Sequence, residues 1–190
     1  MTLSRRSFVL GAAAIALTTA RGYATPSSLT TSLQPGGHVI YFRHAATQWS
    51  GIDRIEWPRS RQRLLSDEGI AQAEAIGSAW RAANVPVGEV WASPFARCAD
   101  HARISFGQAR EDMRLIGLLS DANGQAERRE FLRSLVTTLP APGTNRVIVS
   151  HRSNIAEVAN VSLAEGEGVV FRPDGAGGFD LLGTAMPNAW

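Results

Sequence analysis

Val39-Ile40-Tyr41-Phe42 is a four-residue apolar run that stops abruptly on Arg43 and His44 and passes into a polar loop. Preceded by Gly36-Gly37, such a run predicts a short buried strand. Arg146-Val147-Ile148-Val149-Ser150 repeats the device more than a hundred residues later and stops on His151. In α/β proteins ligands bind in the crevice outside the carboxyl ends of the strands. The two runs therefore constrain both the architecture and the place where chemistry is to be sought.

Between the runs, helix and strand patterns alternate. Ser66-Asp67-Glu68-Gly69 reads as a helix start, with Ser66 as the N-cap and two acids in the first turn, where the helix dipole favours them. Ile70, Ala73, Ile76, Trp80 and Ala83 then share one face, and Asn84 and Pro86 end the helix. A strand is expected at Glu89-Val90-Trp91, a turn at Ser93-Pro94 and a helix from Phe95. Residues 107–124 read as irregular, with an apolar patch from Met113 to Leu119. Glu127 to Leu139 reads as a helix stopped by Pro140-Ala141-Pro142-Gly143, and another helix is expected from about Ser153. Glu167–Phe171 and Phe179–Leu182 read as a terminal hairpin. Strand, helix and strand in that order make a right-handed parallel unit.

Two stretches carry no such periodicity. Residues 25–37, rich in Ser, Thr, Pro and Gly, read as a flexible entry segment with a short helical turn around Leu29–Leu33. Residues 48–65 form a long polar connection with Arg54, Arg59, Arg61, Arg63, Trp49 and Trp57. A connection of that length is either a rim that selects substrate or a solvated loop whose tryptophans cover the core.

Residues 1–24 stand apart from the domain, which is expected over 38–190. Ser4-Arg5-Arg6-Ser7-Phe8-Val9-Leu10 is a twin-arginine pattern, followed by an apolar run from Val9 to Leu17 and then small residues. That order describes an export signal, with cleavage after Ala20 or Ala24. The expected partner is the twin-arginine export machinery and the expected location periplasmic or otherwise exported. The apolar run is too short to span about 30 Å of hydrocarbon, so no stable membrane anchor is expected after cleavage. Without the leader the chain has 16 Arg against 17 acidic residues, and no nucleic-acid footprint remains. Every basic residue is Arg, the side chain better suited to bidentate phosphate contacts. Cys98, the single cysteine, allows no internal disulfide and reads as a small buried helical residue. There is no Cys/His cluster, so no metal and no cofactor is expected.

Three strand ends thus carry polar groups: Arg43 and His44; Ser93 and Arg97; and His151. If the strands are parallel neighbours, these groups converge. Two Arg and two His around one hole suit a tetrahedral oxyanion, and phosphoryl transfer asks mainly for positioning and for charge stabilisation. Arg43 and Arg97 can each donate in a fork, His44 can attack phosphorus in line and carry the phosphoryl group, and His151 can donate to the group in flight. Ser93 and Arg97 sit at a helix N-terminus, which favours an anion.

The order of these motifs resembles that of the histidine phosphatase superfamily. Arg43-His44-Ala45-Ala46-Thr47-Gln48-Trp49-Ser50 is similar to its Arg-His-Gly-Glu-Thr-x-Trp-Asn signature, Leu65-Ser66-Asp67-Glu68-Gly69 to its next helix start, and Ser93-Pro94-x-x-Arg97 to its Ser-Pro-x-x-Arg segment. Val149-Ser150-His151 resembles its Val-Thr-His strand end, and Gly166-Glu167-Gly168-Val169-Val170-Phe171 its late Gly-Glu strand. The resemblance implies a phosphoglycerate-mutase-like α/β fold, a three-layer sandwich with a mostly parallel central sheet and helices on both faces. It implies His44 as the phosphohistidine nucleophile, with Arg43, Arg97 and His151 completing the pocket. Thr47, Arg63, Ser93 and Arg152 are the candidate substrate-binding residues. The implied partner is a small phosphorylated substrate, a phosphomonoester such as a sugar phosphate. The chain departs from the pattern at Ala45 and Ala46, where Gly and Glu are expected, and at Arg152, where Gly is frequent. The family's usual proton donor, a Glu in the middle segment, has no counterpart in Arg114-Leu115-Ile116-Gly117-Leu118, which leaves Asp53, Glu56, Asp121 and Glu127 as candidates.

Overall fold

The computed structural model describes residues 26–119 and 122–190. The leader and its cleavage sites, and the candidate acid Asp121, lie outside the described residues. Among the described residues six strands form one sheet: β1 Val39–Arg43, β2 Val87–Ala92, β3 Arg110–Glu111, β4 Asn145–Ser150, β5 Gly168–Pro173 and β6 Phe179–Ala185, in the order β3-β2-β4-β1-β5-β6. The β3-β2, β2-β4 and β4-β1 pairings are parallel; β5 runs antiparallel to β1 and pairs with β6 as a hairpin. The α-helices of the described residues that cover the sheet are α1 Pro26–Ser32, α2 Asp67–Ala82, α3 Ala96–Phe106, α4 Gln125–Thr137 and α5 Arg152–Ala159. Among the described residues no helix is long and apolar enough to cross a membrane.

Strand alternation divides the core into two layers. Ile40, Phe42, Val147, Val149 and Val170 pack with Leu29, Leu33, Ile76, Trp80, Cys98 and Ala102, from α1, α2, α3 and their ends. Val39, Tyr41, Ile148, Val169 and Phe171 pack on the other face with Leu132, Leu135, Val136 and Ile155 from α4 and α5. The architecture is the expected three-layer α/β sandwich with a mostly parallel sheet. Burial on both faces explains why β1 and β4 read as unbroken apolar runs.

The entry segment carries the helical turn expected around Leu29–Leu33. Residues 26–32 form α1, and Leu29 and Leu33, four apart and so on one helical face, are fully buried. Asn145 ties the end of this segment down, its Nδ2–H donating to the carbonyl of Leu33 at 2.8 Å.

Ser66 caps α2 as expected, its Oγ accepting from Gly69 N–H at 3.1 Å. Gly69 is required by close approach: a Cβ there would sit 2.0 Å from the Ala46 carbonyl oxygen. That oxygen also accepts from Ser66 N–H, so the start of α2 is clamped to the loop after β1.

Candidate active site

β1 and β4 are adjacent and parallel, with Arg43 opposite Ser150. His44 and His151 therefore leave the sheet side by side, and their rings lie 5.8 Å apart, edge to face. β2 ends beside them, with Ser93 N–H bonded to the carbonyl of Val149, and α3 begins immediately after. Arg43, His44, Arg63, Arg97, His151 and Arg152 line one cavity of about 940 Å3. Its outer wall comes from residues 51–54, from 117–119 and from the starts of α4 and α5.

His44 is buried, and its Nδ1 lies 2.9 Å from the carbonyl oxygen of Ala45. A carbonyl can only accept, so Nδ1 carries the proton and Nε2 the lone pair. Burial holds His44 well below the ordinary imidazole range, and the guanidinium of Arg97 adds to the effect. The ring is thus neutral and nucleophilic. Ala45 needs no positive φ, so this loop does not require the family's glycine. Its N–H donates to Nδ1 of His101, a fully buried histidine on α3 with no role in the sequence reading.

Both ring nitrogens of His151 have protein partners. Nδ1 accepts from Nη2 of Arg97 at 3.2 Å and Nε2 lies 2.9 Å from the hydroxyl of Ser93. A guanidinium can only donate, so Nδ1 carries the lone pair and the neutral ring holds its proton on Nε2, which donates to the Ser93 hydroxyl. Burial lowers its pKa well below the usual value, with Arg97 contributing. Tyr41 donates its hydroxyl to the His151 carbonyl at 2.7 Å, and burial raises the Tyr41 pKa, so this donor keeps its proton.

The guanidinium groups are held by carboxylates. Arg43 Nη2 and Arg63 Nη2 both reach Oε1 of Glu165, at 3.0 and 3.1 Å. Arg97 Nη1 lies 2.5 Å from Oδ2 of Asp53, both side chains almost fully buried. Glu165 carries no motif of its own, and only its distance from the late Gly-Glu strand start, two residues on, hinted at it.

The four expected substrate-binding residues separate into two pairs. Arg63 and Arg152 line the cavity. Thr47 and Ser93 do not: the Thr47 hydroxyl accepts from Nε and Nη2 of Arg63 at 3.1 and 2.8 Å, and Ser93 lies fully buried behind His151. Each acts on the cavity through the side chain that it holds. Of the candidate acids, Asp53 lines the cavity, Glu56 is exposed beside Arg54 on the loop, and Glu127 is exposed in the first turn of α4 and lines no part of it.

The 48–65 connection borders the cavity through Gly51, Ile52, Asp53 and Arg54. Trp49 is exposed, and Trp57 stacks under Arg61 with its centroid 5.0 Å from the guanidinium carbon, so the tryptophans do not roof the core. Gln62 anchors the loop: it donates to the carbonyls of Ile55 and Trp57 and accepts from Ala96 N–H at the start of α3. Asn154 performs the same service opposite, donating to the carbonyl of Ile116 and accepting from Leu118 N–H.

The model of the histidine phosphatase superfamily (branch 1) matches residues 39–131, which include His44, Arg63 and Arg97. Over that stretch the chain is similar to the histidine phosphatase superfamily. Among solved structures it is similar to the protein histidine phosphatase SixA complexed with tungstate, with 14% identity and a TM-score of 0.58 over 79% of this chain and 97% of that one. It is also similar to a phosphoserine phosphatase from Entamoeba histolytica in complex with 3-phosphoglyceric acid, with 15% identity and a TM-score of 0.56 over 80% of this chain and 98% of that one. At these identities the likeness is one of fold. No curated protein matches the sequence. Among the described residues no cluster of His, Cys, Asp and Glu is arranged to hold a metal ion. Cys98 is fully buried, and burial pushes its thiol up to about 12, as befits a packing residue rather than a nucleophile.

Proposed function

We propose that this protein is a phosphomonoesterase that works through a phosphohistidine on His44. Nε2 attacks phosphorus as the bond to the ester oxygen breaks, and water then releases phosphate from the histidine. Arg43, Arg63 and Arg97 supply the charge that the equatorial oxygens need, so the reaction asks for no metal ion. The observation that carries this reading is the tautomer of His44: its Nδ1–H is committed to Ala45, which leaves Nε2 as the nucleophilic nitrogen inside a cavity lined by arginines. The cavity of about 940 Å3 has room for a body of sugar-phosphate size. The twin-arginine pattern at Arg5-Arg6 supports an exported, periplasmic enzyme.

The deciding experiment incubates the protein with para-nitrophenyl phosphate, with and without chelator, beside His44→Ala. Turnover that survives the chelator and vanishes in the variant is expected. A wild type that hydrolyses nothing yet binds phosphate or vanadate would make this a phosphate-binding protein instead. Loss of activity with chelator would overturn the metal-free mechanism. For the leader, Arg5→Lys with Arg6→Lys should block export, and an unchanged periplasmic yield would overturn twin-arginine transport.

A further inference from the structure

Asp53 turns its side chain inward from an exposed stretch of its loop. Ile52 beside it is 75% exposed and Arg54 carries its charge in solvent, yet the Asp53 side chain is 3% exposed. Oδ2 is occupied, by Arg97 Nη1 at 2.5 Å and by Arg63 N–H at 3.1 Å. Oδ1 is buried with no hydrogen-bond partner, and so is Nε of Arg97. Leaving a buried polar atom unpaired costs on the order of 1–3 kcal/mol, and such atoms concentrate where a ligand or a reacting group completes the set.

From this geometry we infer that Asp53 is the general acid that protonates the leaving group of the phosphoester. The inference rests on His44 as the nucleophile. The charged and titratable groups that share the cavity with Asp53 are Arg97 from α3, Arg63 and Arg54 from its own connection, Arg43, His44 and His151 from the strand ends, Arg129 from α4, and Arg152 and Glu157 from α5. In the free protein the carboxylate sits on Arg97, where an oxygen of a bound phosphoryl group is also drawn. Once the phosphoryl group takes that guanidinium, Asp53 loses its counter-charge and stands beside a second anion. That arrangement favours its neutral, proton-bearing form.

The step balances. The His44 Nε2–P bond forms and the P–O bond to the leaving group breaks. The Asp53 proton passes to the departing ester oxygen, which leaves as an alcohol. In the second half, the carboxylate takes a proton from the water that attacks phosphohistidine, which restores the acid and frees phosphate and His44. Other carboxylates are worse placed. Glu165 is shared between Arg43 and Arg63, Glu56 points to solvent with Arg54, and Glu157 is exposed on α5 at the outer wall.

The test compares wild type, Asp53→Asn and Asp53→Glu on three phosphoesters with progressively poorer leaving groups: para-nitrophenyl phosphate, phenyl phosphate and glucose 6-phosphate. General acid catalysis contributes roughly 10²–10⁴-fold, and almost none of it is needed when the leaving group is stable as an anion. The ratio of kcat/KM for glucose 6-phosphate to that for para-nitrophenyl phosphate should therefore fall at least a hundredfold in Asp53→Asn. Asp53→Glu should restore part of the ratio, and the basic limb of the pH profile on glucose 6-phosphate should disappear in Asp53→Asn. An equal loss on all three esters, with the pH profile unchanged, would reduce Asp53 to a holder of Arg97 and overturn the inference. A wild type that turns over none of the three, or His44→Ala that retains turnover, would overturn the underlying mechanism instead, and the inference with it.

Discussion

Nδ1 of His44 donates to the carbonyl of Ala45, its own neighbour in the chain, across 2.9 Å. So short a covalent path makes the tautomer of His44 a property of the strand end and not of a distant partner. The prediction is a covalent phosphoryl group on Nε2. Rapid quench with a labelled phosphoester should trap an acid-labile, base-stable adduct on His44, readable by phosphorus NMR. His44→Gln should lose it, with kcat lower by about 10³-fold or more. An adduct on another residue would refute the assignment.

The Ala45 peptide is held from its other side by His101. Its N–H donates to Nδ1 of His101 at 3.2 Å, and the His101 ring packs on Phe42 with centroids 5.5 Å apart. Burial lowers the His101 pKa to about 3, so the acceptor lone pair persists through the working pH range. His101→Phe keeps the ring and deletes the acceptor. It should destabilise the fold by about 1–3 kcal/mol, the cost of a buried unpaired N–H. It should also lower kcat with little change in KM, because His44 loses its alignment and the arginines do not. A variant with wild-type kcat would show that the Ala45 peptide needs no second anchor.

The same two contacts show what the sequence discloses and what it conceals. The apolar runs Val39–Phe42 and Val147–Val149 and their terminal histidines were legible because burial on both faces of a sheet leaves a contiguous signature. Ser66 was legible because an N-cap is a local matter. Asp53–Arg97, Glu165–Arg43 and Ala45–His101 join residues 44, 122 and 56 positions apart, and a carboxylate in a loop carries no period to betray its partner. Ser93 and Thr47 were legible as neighbours of the site, but a hydroxyl serves a ligand or a side chain equally well, and only packing shows which.

Glu165 supplies the counter-charge of the inner pocket. It is bonded to Arg43 and Arg63 and is 29% exposed, so part of its attraction is screened by solvent. Glu165→Gln keeps an oxygen that can accept from both guanidinium groups and removes the charge that competes with phosphate. Product inhibition should tighten, with Ki for inorganic phosphate falling about three- to tenfold, as expected for one unit charge in a partly solvated site. Turnover should slow as phosphate leaves less readily. Calorimetric titration with phosphate reads the first effect directly, and a weaker Ki would mean that Glu165 orients the arginines more than it shields them.

Buried histidines make the fold less stable as pH falls. Burial, with Arg97 adding to the effect at His44 and His151, holds His44, His101 and His151 below their ordinary value, so they stay neutral in the fold and titrate normally near 6.5 once unfolded. Between those values the unfolded chain binds more protons, and stability falls as pH falls. Each therefore contributes stability at neutral pH that is lost as pH falls, and His38, which burial also lowers, adds to them. Glu89, Asp112 and Asp174 add nothing in that window. Hydrogen bonds from Arg146, from Arg114 and from Ala176 N–H depress them, so their contribution is lost only when pH drops through the carboxylate range below about 4. The urea midpoint should therefore fall steadily from pH 7.5 to 5.5, and His101→Phe should reduce the slope. A midpoint flat across that interval would mean that these histidines accept protons without unfolding.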